Sequence, residues 1–130
     1  MFEFLITWQF WVVVILLIIS GIAKACMDVV SFKYSTSIFP KLTKAESYYN
    51  PVFSWTRKWK NLDPKQGEAF LGSSTIFVSF TDFWHLMGLI RDLSLFSCIP
   101  IISGNYFLFL LYPIYRFIFH IFFTHIFIKR

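Results

Sequence analysis

The apolar positions of the chain fall into long stretches separated by polar segments. No charged residue occurs from residue 4 to residue 23. At a rise of about 1.5 Å per residue, a helix of that length covers roughly the 30 Å hydrocarbon core of a bilayer. Trp8 and Trp11 stand near its start, where aromatic rings anchor helices at a membrane interface. The pattern predicts a first transmembrane helix that continues past Lys24 to about residue 30.

Two layouts fit the apolar residues that follow position 69. In the first, a helix ends near Arg91 and another covers roughly residues 93–115. In the second, one helix continues past Arg91 to about residue 99, and a turn at Ser103-Gly104-Asn105 leads into a last helix. We favour the second layout because Ser-Gly-Asn is a turn signal and residues 106–128 are numerous enough to cross a bilayer. The predicted spans are residues 4–30, 69–99 and 106–128.

The connection over residues 31–68 is basic and rich in aromatic side chains. The stretch from residue 24 to residue 68 holds eight of the twelve basic residues of the chain. Trp55 and Trp59 are four positions apart, so a helix would place both rings on one face with cations beside them. We predict an interfacial segment on the membrane surface, although a compact loop packed on the helices is the alternative. The predicted lipid- or phosphate-binding residues are Trp55, Arg57, Lys58, Trp59 and Lys60.

Composition restricts the class of protein further. Hydrophobic residues make up 57% of the 130 positions and charged residues 15%, which is too apolar for an ordinary soluble domain of this size and for a disordered chain. The net charge of +5 comes from cations that flank apolar stretches, so we expect membrane lipids as partners and no nucleic acid. The fold class predicted is an all-α integral membrane protein with about three transmembrane helices.

The distribution of cations also predicts an orientation. Short loops rich in Lys and Arg stay on the cytoplasmic side of a membrane. We therefore expect the loop over residues 24–68 and the C-terminus, which ends in Lys129-Arg130, to lie on the cytoplasmic or equivalent inner side of a multi-pass protein.

Asp82 and His85 are the residues with the clearest chemical potential. They are three positions apart within the predicted second span, and ionisable side chains inside a membrane are costly. We therefore consider them as a catalytic pair, while the structural alternative is a hydrogen bond between them or to a loop cation that fixes helix packing. Two ligands do not make a zinc site, so the metal and any cofactor stay unknown. The further polar side chains that could join them are Asp28, Asn61, Glu68, Ser74 and Asp92.

Three other features suggest local roles. Asp28 follows Lys24 by four positions and can form an ion pair along the first helix, or it can face Asn61 or Glu68. Gly21 and Ala25 form a pair of small residues at helical spacing, which predicts close contact with another helix of this chain or of a copy. The stretch from Gly67 to Ser74 opens the predicted second helix, and its backbone N–H groups could hold a lipid phosphate.

No enzyme motif such as GxSxG or HExxH occurs in the chain. Three spans of this length enclose little interior of their own, so the leading hypothesis is a non-enzymatic subunit or accessory component of a membrane assembly, formed with a protein partner or as a homo-oligomer. The alternatives are a small hydrolase or transferase that acts on a lipid at the cytoplasmic interface, and a proton- or ion-conducting protein that uses Asp82 and His85 as relay groups.

Overall fold

The protein is built from helices. The computed structural model describes residue 3 and residues 7–42 and 46–127. Helical conformations account for 81% of the residues, and no strand occurs in the described ranges apart from one isolated antiparallel bridge between Trp59 and Glu68. The α-helices are α1 (Trp8–Phe32), α2 (Phe39–Leu42), α3 (Glu46–Tyr49), α4 (Pro51–Ser54), α5 (Phe83–Ser103) and α6 (Leu111–Ile121). Among them, α1 and α5 are long and apolar enough to cross a membrane.

The sequence predicted that the second long helix begins at residue 69, but it begins at Phe83. Residues before it form turns and a short 3-10 helix at Val78–Phe80. Gly72 has a φ of +77°, a left-handed conformation that stops the backbone from continuing as a helix. The Ser residues at 73 and 74 therefore do not cap the span. From Phe83 onward α5 runs without a break across Arg91 and Asp92.

The predicted turn at the end of α5 forms at Gly104, whose φ is +69°. The side chain of Asn105 accepts a hydrogen bond from the Phe107 amide at 3.1 Å and so starts the next helix. That helix is a 3-10 helix over Tyr106–Leu110, then α6, then a π-helical turn over Phe122–Phe127. The apolar helix Tyr106–Ile121 is shorter than a typical crossing helix, in contrast to the predicted third span over 106–128. Residue 128 lies outside the described residues.

The chain divides into two compact units, of which one is Gly21–Arg91. In this unit the end of α1 packs on the first turns of α5. Ala23, Met27 and Val30 are buried on one face of α1, because residues four and three positions apart stack on the same side of a helix. Met27 lies next to Gly88: a Cβ atom added at Gly88 would be in van der Waals contact with Cε of Met27 at 3.6 Å.

The packing face of α1 differs from the one that small residues had indicated. Gly21 and Ala25 are exposed, and a Cβ atom added at Gly21 would meet nothing within 4 Å. Both residues are two positions from Ala23, and at 100° per residue they point about 160° away from it. The small-residue pair is therefore not the contact between helices within this chain.

The other unit comprises Met1–Ser20 and Asp92–Arg130. Aromatic rings hold its helices together: the ring of Phe96 on α5 lies 5.8 Å from Tyr112 and 5.0 Å from Tyr115 on α6, measured between centroids. Such pairs stabilise by about 1 kcal/mol beyond the area they bury. The polar side chains of Ser94 and Asp92 are buried in this unit.

Candidate functional site

Asp82 begins α5 as its N-cap. The Oδ1 atom accepts a hydrogen bond from the backbone N–H of His85, three residues later, at 3.0 Å. This is the bond by which a capping aspartate satisfies one of the first N–H groups of a helix. Only 1% of the Asp82 surface is exposed. Asp82 therefore lies at a helix terminus, whereas the sequence had predicted a position within a span.

The side chain of His85 also contacts the Asp82 carboxylate. Its Nδ1–H donates to Oδ2 of Asp82 over 2.7 Å, so the predicted contact between the two residues forms. The hydroxyl of Thr81 lies 3.2 Å from that Oδ2 atom and 2.7 Å from the carbonyl of Val78. The buried carboxylate thus has a polar neighbour for each oxygen, which offsets the cost of removing it from water.

Arg57 contacts the residue that precedes Asp82. Its Nε–H donates to the Thr81 carbonyl oxygen at 2.9 Å, and its Nη1 lies 3.4 Å from Oγ of Ser47. The guanidinium also stacks over the ring of Tyr48 at 5.4 Å from the centroid. Two donors of Arg57, which the sequence had assigned to lipid phosphates, hold the start of α5 against the connection.

The surroundings of Tyr48 change the pKa of its hydroxyl. Burial raises the pKa of Tyr48, and the neighbouring Tyr49 and Asp82 raise it further, while Arg57 opposes them. The rings of Tyr48, Tyr49 and Phe39 surround Phe83, with centroid distances of 4.9 to 6.3 Å. An aromatic cage thus covers the first residue of α5, a feature that sequence spacing does not reveal because its rings come from two short helices, α2 and α3.

Glu68 and Ser74 are brought together, but apart from the Asp82 pair. The carboxylate of Glu68 accepts the Gly72 amide at 2.9 Å, the Ser74 amide at 3.1 Å and the Ser74 hydroxyl. The backbone N–H groups that we had expected to hold a lipid phosphate are thus bound by a side chain of the protein itself. Since Ser74 is not on α5, it does not share a helix face with His85 or Asp92.

Hydrogen bonds from the Ser74 hydroxyl, and then from the Gly72 and Ser74 amides, lower the pKa of Glu68. A carboxyl with a lowered folded-state pKa stabilises the fold above its unfolded pKa of about 4.3, and this contribution is lost as the pH falls through the folded value. We expect Glu68→Gln to speed amide exchange of residues 72–74 several-fold at pH 7. Once the pH falls below the folded-state pKa, the variant and the wild type should exchange alike. Asp63→Asn is the control, and a difference that persists when Glu68 is protonated would contradict this role.

The remaining polar candidates have separate partners. Asp28 pairs with Lys24 along α1 at 2.5 Å, and both side chains are half exposed. Asn61 donates to Gln66 at 2.8 Å. Asp92 is buried in the other unit. The structure therefore does not gather Asp28, Asn61 and Glu68 around one site.

The two tryptophans of the interfacial segment do not share a helix face. A 3-10 turn covers Trp55–Lys58, and Trp59 is extended and pairs with Glu68 in the bridge. Trp55 is exposed, whereas Nε1 of Trp59 is buried without a hydrogen-bond partner among the described residues. The ammonium of Lys58 lies 5.7 Å above the Trp59 ring, and Lys60 is exposed. The segment is ordered by nonlocal pairing, which the four-residue spacing could not indicate.

The described residues contain no group of three or more His, Cys, Asp or Glu side chains placed to hold a metal ion. The described part of the chain is all-helical, and two of its helices could cross a membrane. The start of α5 is capped, and an arginine holds it through a hydrogen bond. No protein-family model matches the chain, and comparisons with curated proteins and with solved structures find no match either.

Proposed function

We propose that the chain is a small non-enzymatic subunit of a membrane assembly. The observation that carries this proposal is the exposure of Gly21 and Ala25 on α1, away from the face that Ala23 packs within the chain. In a bilayer there is no hydrophobic force between helices, so association relies on close backbone contact at small residues. A small-residue pair left open on an apolar helix is suited to a helix of another protein or of a second copy.

The chemistry of Asp82 supports the same role. Its two oxygens are engaged by the His85 amide and ring, and capping a helix needs no substrate. A general acid or a proton relay would need access from the protein surface, whereas the Asp82 side chain is almost fully buried. We therefore assign the pair to folding.

The proposal includes a topology. In it, α1 and α5 cross the membrane, the residues between them lie at the cytoplasmic or equivalent inner surface, and the helical path from Tyr106 to Phe127 returns as a third span. The cation-rich connection supports this sidedness. With Asp82 as its N-cap, α5 would start at the interface, where a carboxylate and an arginine are cheaper than at the bilayer centre.

Native mass spectrometry from mild detergent tests the subunit role. We expect wild-type protein to appear with additional copies or with an unlike chain in fixed ratio. Gly21→Leu should release single chains of unchanged helicity, because the leucine prevents close backbone approach. Ile22→Leu, a change at the neighbouring exposed position, is the control and should keep the assembly. Single chains in the wild-type spectrum, or an intact assembly in Gly21→Leu, would contradict the proposal.

A further inference from the structure

An open groove of about 500 Å³ lies in the connection between α1 and α5. Its walls come from α3, α4 and the 3-10 turn after α4, with Leu62 from the next turn. The apolar side chains that line it are exposed to roughly half of their surface or more: Val52, Phe53, Trp55 and Leu62. Its lining combines aromatic and aliphatic groups with a few polar atoms.

The groove has an acid on its wall and a base at its edge. Glu46 lines it and accepts one hydrogen bond, from Asn50 at 3.3 Å. Ser47 lines it too, and its Oγ is the atom that Nη1 of Arg57 approaches. Glu46 and Arg57 form no ion pair with each other in the part of the chain that the structure describes. The groove therefore offers separated negative and positive charges.

A strained backbone distinguishes this region from an ordinary surface hollow. Leu62 has a φ of +63°, directly after Asn61 at +51°, and the left-handed region is strained for a leucine. The side chain of Leu62 lines the groove with more than half of its surface exposed.

We propose that this groove binds the headgroup of a zwitterionic phospholipid, with the ammonium at Glu46 and the rings of Phe53 and Trp55, and the phosphate towards Arg57. A carboxylate beside aromatic faces attracts ammonium and quaternary ammonium groups, and a guanidinium donates to phosphate oxygens. The exposed Val52 and Leu62 then contact the apolar part of the lipid next to the headgroup. The inference rests on the proposed position of residues 31–68 at the membrane surface, but not on the subunit role.

The charge pattern of the groove favours binding of a zwitterionic lipid over binding of an anionic lipid. A lipid with phosphate but no ammonium would pair with Arg57 and be repelled by Glu46. Acyl chains bind the apolar helices whatever the headgroup, so lipids with identical acyl chains isolate the contribution of the groove. The full chain in mild detergent is titrated with phosphatidylcholine, phosphatidylethanolamine and phosphatidylglycerol, and bound lipid is counted by native mass spectrometry.

We expect the two zwitterionic lipids to bind about tenfold more tightly than phosphatidylglycerol, as one ammonium–carboxylate and cation–π contact would give. Glu46→Gln keeps the shape and the Asn50 contact, and it should remove that preference. Asp28→Asn, an acid-to-amide change on α1 outside the groove, should leave it intact. Equal or tighter binding of phosphatidylglycerol to the wild type, or an unchanged preference in Glu46→Gln, would overturn the assignment.

The same spectra keep this proposal distinct from the subunit role. If the lipid preference appears on single chains, the groove assignment stands and the assembly proposal fails. If the assembly is present and all three lipids bind alike, the opposite holds. Circular dichroism of Glu46→Gln should match the wild type, because Glu46 is exposed and its loss leaves no buried polar group unpaired.

Discussion

Replacing Asp82 by leucine is expected to destabilise the protein by about 2–4 kcal/mol, the combined cost of a lost N-cap and of a hydrogen-bond donor left without its acceptor. The substitution leaves the His85 amide without its cap and the His85 ring without its acceptor. Asp82→Asn retains an acceptor oxygen for the amide and should cost only about 1 kcal/mol. Unfolding in detergent, followed by circular dichroism, gives both values.

The control for this pair is Asp28→Leu, which removes a half-exposed ion pair with Lys24 and should change stability by less than about 1 kcal/mol. If Asp82→Leu were as stable as this control, Asp82 would not be the residue that starts α5. If Asp82→Asn folded normally but lost binding of an ion or an enzymatic activity, the carboxylate would have a chemical role and the assignment to folding would be wrong.

Ala23→Leu is expected to destabilise by about 2 kcal/mol, because Ala23 is only 2% exposed and lies on the buried face of α1. Three additional heavy atoms cannot be placed there without moving a neighbour, and overpacking of this kind costs about 1–3 kcal/mol. Ala25→Leu makes the same change two residues away on the exposed face, and the single chain should keep its stability. Thermal unfolding of dissociated chains measures both variants. Equal loss in the two would mean that α1 packs through a different face.

Some of this fold follows from local sequence. The uncharged apolar stretch over residues 4–23 indicates the first helix, and the turn after α5 forms because Gly104 accepts a positive φ. Both depend on interactions between near neighbours. The same applies to the contact of Asp82 with His85, whose spacing of three residues is that of an N-cap and its third helical position.

The start of α5 shows where local sequence was insufficient. Asp82 precedes an apolar run and has the residue type and position of an N-cap, but the apolar residues before it suggested that the helix was already under way. The turn at Gly72, which the Glu68 carboxylate holds, determines that the helix does not begin before Asp82. These contacts become visible only when the connection is folded.

The shared helix face of Trp55 and Trp59 was wrongly predicted for a related reason. A spacing of four residues places Trp55 and Trp59 on one face only if the segment is an α-helix, and pairing of Trp59 with Glu68 makes it extended. Likewise, the cations near Trp55 do not act as one group, because Arg57 is drawn to the Thr81 carbonyl. The groove at Glu46 had no sequence signal, since its walls are assembled from several short elements.

The proposed crossing of the membrane by α1 and α5 underlies both the subunit role and the lipid site, and cysteine labelling in sealed vesicles tests it most directly. The two native cysteines, Cys26 and Cys98, are free thiols and are replaced by alanine. Ser35→Cys, after α1, and Ser103→Cys, at the end of α5, are then exposed to a membrane-impermeant thiol reagent from each side. The account predicts that position 35 reacts only from the inner face and position 103 only from the outer face. Reaction of both positions from the same face would contradict it.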